Sequence, residues 1–295
     1  MKRRPVRVLV CLRVLSICVV LAAGATACTR GGGPSGSTPT GRPSLRPSSP
    51  GNPTPSGGAR TAEVWLIREG ALFLAHRTIG PTPAIGAAAI HALLRGPTPL
   101  ERSVGVGTAV PPATRLLGLS IAGGVATIDL SAAFGAEAGG LEAALRAGQV
   151  VQTLTQFRTV RTVAFLIEGR PVTALAGEGP ILDHPIGRAA LAHLLPPIVV
   201  AAPAVGARVT SPMRVAGTAN VFEAVVSIRV RDAAGHLLVD TRTRATCGTG
   251  CRGTYTALVS FRVTVPTPAE LQVFEVSAKD GSPIHVVRIP LTLLP

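Results

Sequence analysis
The sequence predicts an α+β domain, two helices on a sheet, followed by an all-β sandwich, and three observations lead to that expectation. Between residues 62 and 175, short apolar runs alternate with two longer ones at helical spacing: Ile90, Leu93 and Leu94, then Leu141, Leu145, Val151, Leu154 and Phe157. That mixture is expected when helices cover one face of a sheet. From residue 198 to 295 the apolar positions repeat every second residue instead, the period of a half-buried strand. Ahead of both, residues 29–60 hold 8 Gly, 7 Pro, 6 Ser and 4 Thr, a composition that buries too little apolar surface to offset chain entropy.

In order along the first unit, Glu63–Ile67 and Ala71–Ala75 predict strands around a Glu69-Gly70 turn. Thr82-Pro83 is a helix-start signal, a capping hydroxyl ahead of a proline at the first turn. The helix continues through Ile90, Leu93 and Leu94 and stops at Gly96-Pro97. Leu116–Ile121 and Val125–Leu130 are strands joined by Gly123-Gly124, a strong hairpin signal. A second helix begins at Gly139 or Gly140 and runs to Phe157, with Ala144 and Ala147 filling its apolar face. Thr162–Ile167 is expected as a fully buried strand and Pro171–Leu175 as a short edge strand. A connector, residues 176–197, places Ile186, Ala190, Leu191, Leu194 and Leu195 as a short helix packed on one of the units.

In the second unit, residues 198–295, Val226, Ile228 and Val230 alternate with Ser227, Arg229 and Arg231, and Asp232-Ala233-Ala234-Gly235 supplies the next turn. A further strand sets Tyr255, Ala257, Val259, Phe261 and Val263 on one face, with Leu258 the exception opposite. Val287, Ile289, Leu291 and Leu293 form the last strand. Pro290 within it cannot donate to a ladder, which puts that strand at an edge. About seven strands in such a length make a sandwich.

The formal charge is +14, but nine of the 29 basic residues and none of the 15 acidic ones fall in the first 60 positions, leaving +5 for the folded units. Aromatic residues make up only 3%. A phosphate-binding domain concentrates its charge on one face and a single-strand binder needs stacking rings, so no nucleic-acid partner is expected. The front of the chain reads as an export signal, with Lys2 to Arg7 preceding an apolar run from Val14 to Ala23 and then small residues. That run is about half of the roughly 20 residues a spanning helix requires.

Two readings of the processing site stand. Ala25-Thr26-Ala27-Cys28 resembles a lipobox, with Ala25 where Leu is usual. This resemblance implies that residues 1–27 are removed as a signal peptide and that Cys28 becomes the mature amino terminus carrying diacylglycerol. The other reading is a soluble secreted protein cut near Ala27. Two acyl chains anchor stably where one does not. The lipobox reading therefore sets the protein on the extracytoplasmic face of the cell membrane. Residues 28–61 are then a tether, spanning about 30 Å end to end if fully flexible. Of five cysteines, Cys11 and Cys18 leave with the signal, and Cys247 and Cys251 remain, spaced Cys-Gly-Thr-Gly-Cys. Two thiols with no nearby His fall short of the four ligands zinc requires. In an oxidising compartment, a short disulfide closing a Gly-rich loop is expected.

Three ordered segments carry a family resemblance: Ala88 through Glu101; Gly124 to Ser131 followed by Phe134; and Gln149 to Phe157 leading into Val163–Ile167. Together they resemble the GerMN domain of sporulation and germination proteins. In the second unit, Ser211-Pro212, Val215 to Ala224, and Ser277 to Pro283 ahead of Ile289-Pro290-Leu291 resemble the Gmad-type immunoglobulin-like domain of bacterial germination proteins. The two occur together, in this order, in that family. The resemblance implies an extracytoplasmic lipoprotein of sporulation, germination or envelope regulation. It also implies a first domain similar to ring-building modules of secretion-type assemblies, hence a homo-oligomer through that domain. It brings no catalytic residues.

Segments that imitate catalytic motifs fail on context. Gly118-Leu119-Ser120-Ile121-Ala122 begins like a nucleophile elbow but ends in Ala and lies within a hairpin strand. Gly105-Val106-Gly107 lacks the third glycine and the following helix of a phosphate loop. His76, His91, His184, His193, His236 and His285 are scattered, and His91 adjoins core positions. Asp129 and Ser131 read as turn caps, and Asp280-Gly281 as a turn with too few local oxygens for calcium. Arg229, Arg231, Arg242 and Arg244 lie on strand faces that are either solvated or in contact with anionic wall polymers or lipid headgroups. No catalytic, cofactor-binding or metal-binding residue is assigned, and no cofactor. The expectation is a lipid-anchored, non-enzymatic cell-envelope protein that binds an envelope protein or wall polymer. The alternatives are a wall-active enzyme whose groups converge only in three dimensions, and a lipoprotein regulator of a membrane sensor kinase.

Overall fold
The computed structural model describes residues 58–175 and 179–295. The signal peptide, Cys28 and all but the last residues of the tether lie outside the described residues. Among the described residues, no helix is long and apolar enough to cross a membrane.

The first domain opens with a hairpin of β1 (Arg60–Arg68) and β2 (Ala71–Ile79). Its two turn residues, Glu69 and Gly70, both take positive φ, the backbone that suits the twist of a two-residue hairpin. A two-residue strand, β3 (Val106–Gly107), joins the other side of β1. Between them lie α1 (Ile85–Leu94) and α2 (Pro99–Ser103). A second sheet contains β4 (Leu116–Ala122), β5 (Val125–Leu130), β6 (Thr162–Ile167) and β7 (Arg170–Pro171), in that order. Strands β5 and β6 are parallel, and α3 (Gly140–Leu154) is the crossover between them.

The α+β class is as expected, but the strands are divided between two sheets, and α3 packs against elements of both. Every residue of α3 from Leu145 to Leu154 is buried, the condition of a helix covered all round.

Several local expectations are corrected. Helix α1 starts at Ile85, and Thr82 Oγ1 accepts the Ala84 N–H instead of capping the helix. Leu141 sits in the first turn of α3 and is 59% exposed. Phe157 packs on the core from beyond the helix end at Leu154. Strand β6 buries Val163 and Phe165 but only partly covers Thr162, Ala164, Leu166 and Ile167. The strand expected at Pro171–Leu175 shrinks to β7, because the chain turns away to pair Ala174 with Ile181 and sinks Leu175 and Leu182 into the core. The connector forms a 3-10 turn at Arg188–Leu194, with Leu191 and Leu194 in the first core.

The second domain is a sandwich of eight strands. One sheet is β8 (Ile198–Ala202), β10 (Met213–Ala219) and β13 (Gly253–Val259), ordered β13-β10-β8. The other runs β12 (Leu237–Arg244), β11 (Val225–Asp232), β14 (Thr267–Val276), β15 (Pro283–Leu293) and β9 (Arg208–Val209). Val226, Ile228 and Val230 point into the core as the alternation requires. Strand β13 ends at Val259, so Phe261 and Val263 reach the core from irregular chain.

Strand β15 is not outermost, since β9 pairs with its last two residues in parallel. Pro290 fits because its carbonyl faces outward, taking the Gly206 N–H at 2.7 Å. The nitrogen of a strand residue lies on the same side as its carbonyl, so the missing donor falls away from β14.

Strand β8 ties the domains together. Val199 is buried in the first core, whereas Ile198 and Val200 are buried in the second. Phe73 of β2 packs against both cores.

Candidate functional site
Helix α3 carries a polar stripe despite its burial. Gln149 and Thr153, at i and i+4 on one face of the helix, and Gln156 in the turn just after it meet the open edge of β1. Gln156 accepts the Glu63 N–H at 2.8 Å and donates to the Glu63 carbonyl at 2.7 Å. Thr153 Oγ1 accepts the Trp65 N–H at 3.1 Å, and Gln149 Nε2 donates to the Trp65 carbonyl at 2.9 Å. Side chains thus continue the ladder where no strand does, meeting the demand that buried backbone groups be paired. Arg146, 2% exposed, donates to the carbonyls of Ala109, Phe134 and Ala136 and lies 3.4 Å from Glu142.

Beside this stripe, β1, α3, the 3-10 turn, β8 and the loop before β13 enclose a cleft of about 330 Å³ at the domain junction, lined by Glu63, Trp65, Gln152, Arg188, Val199 and Arg252 among others. Arg188 lies over the Trp65 ring with its guanidinium carbon 6.0 Å from the centroid. It donates to Thr155 Oγ1 at 2.8 Å and to the Gln152 carbonyl at 2.9 Å, and stands 3.7 Å from Glu63. Arg252 donates to the Pro196 carbonyl at 2.6 Å and to Thr218 Oγ1 at 3.3 Å. Burial pulls both guanidinium groups below the ordinary arginine value, an effect that Glu63 opposes at Arg188. Arg252 directly follows Cys251, which is joined to Cys247. Gly253 on its other side packs so closely on Cys247 that a Cβ would strike that residue's backbone. The bridged loop therefore fixes the base of the Arg252 side chain.

The remaining residues singled out in the sequence are dispersed. Asp129 Oδ1 accepts the Gly169 N–H in the β6–β7 turn, and Ser131 Oγ accepts the Arg115 N–H. Asp280 accepts the Ser282 N–H within its own turn. His236 pairs with Asp232 at 2.9 Å and His285 with Glu275 at 2.8 Å, both in the sandwich. His184 pairs with its exposed neighbour Asp183. His76 is held below the ordinary histidine value, chiefly by burial. Among the described residues, no three His, Cys, Asp or Glu side chains gather as metal ligands would. Arg229 pairs with Asp240 across adjacent strands and lies 4.9 Å from the Phe274 ring centroid. Sequence reasoning did not find Trp65, Gln152, Arg188 and Arg252 as a group, because they come from separate elements of both domains.

Residues 69–173 match a protein family described as sporulation and spore germination, and residues 197–282 match the immunoglobulin-like domain of bacterial spore germination. Similar solved structures include the tandem GerMN domains of the sporulation protein GerM from Bacillus subtilis, at 14% identity over 79% of this chain and 60% of that one, with a TM-score of 0.38. The first GerMN domain of the same protein is 22% identical over 44% of this chain and 98% of that one, with a TM-score of 0.36. A candidate lipoprotein from Clostridium perfringens is 18% identical over 47% of this chain and 93% of that one, with a TM-score of 0.35. No curated protein matches significantly. The chain thus joins a GerMN-like domain of the sporulation and spore-germination family to a Gmad-type immunoglobulin-like domain.

Proposed function
We propose that the protein is a lipid-anchored, non-enzymatic component of the cell envelope, an interaction and assembly module of sporulation or germination type on the extracytoplasmic face of the membrane. The observation that carries this reading is β8, which has one face in each core. Through it the two domains offer a partner one continuous body and a junction surface. The Ala25–Cys28 segment and the Gly/Pro/Ser stretch behind it support tethering. The non-enzymatic role draws support from how buried polar groups are used. Arg146, Gln149, Thr153 and Gln156 hold backbone, and Glu101 holds Arg77 and the Thr98 N–H.

The partner is an envelope protein or a wall polymer, and a second copy of the chain can associate through the GerMN-like domain. Mass spectrometry of the mature protein should find a diacylglycerol thioether on Cys28, and Cys28→Ala should release the protein from membranes. Cross-linking in native membranes and sedimentation with sacculi should show saturable binding without turnover. An unmodified Cys28 removes the anchor, and failure to bind either class of partner removes the interaction role.

A further inference from the structure
Two groups at the junction cleft keep unused binding capacity, one an unpaired amide and the other a guanidinium with no carboxylate. Gln152 is 1% exposed, and among the described residues neither Nε2 nor Oε1 of its amide has a hydrogen-bond partner. Its neighbours Gln149, Thr153 and Gln156 are all paired with β1. Buried amides are ordinarily satisfied, and leaving one unpaired is costly. The second feature is Arg252. Its two terminal nitrogens reach only the Pro196 and Pro197 carbonyls and Thr218 Oγ1, and among the described residues no carboxylate pairs with it. Arg188 in the same cleft has Glu63. Two guanidinium groups against one carboxylate leave the cleft one negative charge short.

We propose that this cleft binds the free carboxy end of a short peptide or acylated amino acid, with the carboxylate on Arg252 and the adjoining amide on Gln152. A guanidinium fork matches a carboxylate in geometry as well as charge. A glutamine amide offers one donor group and one acceptor, the complement of a peptide unit. Its terminal torsion is broad, so the group can swing toward a ligand that supplies both partners. Trp65, Leu74, Leu195 and Val199 line the cleft with apolar surface suited to a small aliphatic side chain. The volume of about 330 Å³ falls at the small end of ligand sites, which favour domain junctions. The Cys247–Cys251 bridge holds the loop that presents Arg252. Peptides with this chemistry have two sources: wall stem peptides ending in D-alanine, and cleaved proteins ending in an L-residue.

The proposal rests on the reading of the chain as a binding module. It is tested by titration calorimetry of the full chain with N-acetyl-D-alanyl-D-alanine, its L,L isomer, and both as carboxy-terminal amides. At least one acid should bind saturably, with its amide at least tenfold weaker. Preference for the D,D or the L,L acid identifies the source, and equal affinity supports a site that reads only the carboxylate and its amide. Arg252→Gln and Gln152→Leu should each weaken binding at least tenfold, and Cys247→Ser with Cys251→Ser should weaken it several-fold. Gln152→Leu removes an unpaired group, so its melting temperature should not fall, which keeps the test sound if Arg252→Gln destabilises the chain. No heat from either acid, equal affinity for acid and amide, acetate alone binding as tightly, or Gln152→Leu binding like the parent would each overturn the proposal. Release of free alanine from a bound probe would support the ligand class while ending the non-enzymatic reading.

Discussion
The Arg77–Glu101 pair shows what one buried contact does in this chain. Glu101 is 5% exposed and takes two bonds from Arg77, at 2.7 and 2.6 Å, while its carboxylate also accepts the Thr98 N–H. Burial alone would raise its pKa, but the bonds from Arg77 and Thr98 outweigh it and hold the carboxyl below the ordinary glutamate value. A depressed acid stabilises the fold above its unfolded pKa and ceases to do so as pH falls through the folded value. The parent protein should therefore lose stability progressively below about pH 4.3, as followed by urea unfolding at stepped pH. Arg77→Met leaves a buried charge without its partner and should cost about 3 kcal/mol at pH 7, with a weaker acid dependence. The sequence Thr98-Pro99-Leu100-Glu101 spells a capping box that the structure forms in full. Arg77, more than twenty residues earlier, has no sequence signal linking it to that box.

At the scale of elements, the hairpins were legible because their turns are glycine-rich and local. Gly123 and Gly124 both take positive φ, as the predicted turn requires. Helices α1 and α3 were legible from apolar spacing, together with the stop of α1 before Gly96 and the start of α3 at Gly140, whereas the start of α1 and the end of α3 were not. The division of strands into two sheets was illegible, because a strand's period says which face is buried and not which neighbour it pairs with. The short strands β3, β7 and β9 carry too few residues to show any period.

Gly217 in β10 packs against the Val199 carbonyl and the Tyr255 ring, and the Tyr255 hydroxyl donates to that carbonyl at 3.1 Å. Gly217→Ala should destabilise by about 2 kcal/mol through overpacking, measured by chemical unfolding. Opening the Cys247–Cys251 bridge, by reduction or by Cys251→Ser, should cost at most about 2 kcal/mol, because the loop it closes is short. That is too little to unfold a domain and enough to register in a thermal melt.

For the whole molecule, the decisive element is β8. Ile198-Val199-Val200 is an unbroken apolar run, the pattern of a strand buried on both faces, and alternation over the rest of the sandwich hides it. The sequence suggests two units divided near residue 197, but in the structure the dividing line falls on a shared strand. Such coupling predicts a single unfolding transition. Trp65, the only tryptophan, reports on the first domain, and far-ultraviolet circular dichroism weighs all strands. The two signals should trace the same curve. Val199→Ala should shift both together by about 2 kcal/mol, whereas two separated transitions would show that the domains unfold independently. The junction cleft was illegible for the same reason: its residues are far apart in sequence and meet only because β8 brings the domains together.

Strand β1 is where the chain leaves its amino-terminal stretch. It is held by β2 along its whole length, by β3 at its far end, and beside Glu63 and Trp65 by side chains of α3 and of the turn after it. Tension applied at Arg60 along the strand axis loads these bonds in shear, all at once, whereas a pull across the strand would peel them singly. A molecule moored at that end should yield at high force and abruptly, with its grip on whatever lies at the junction intact until the strand itself slides.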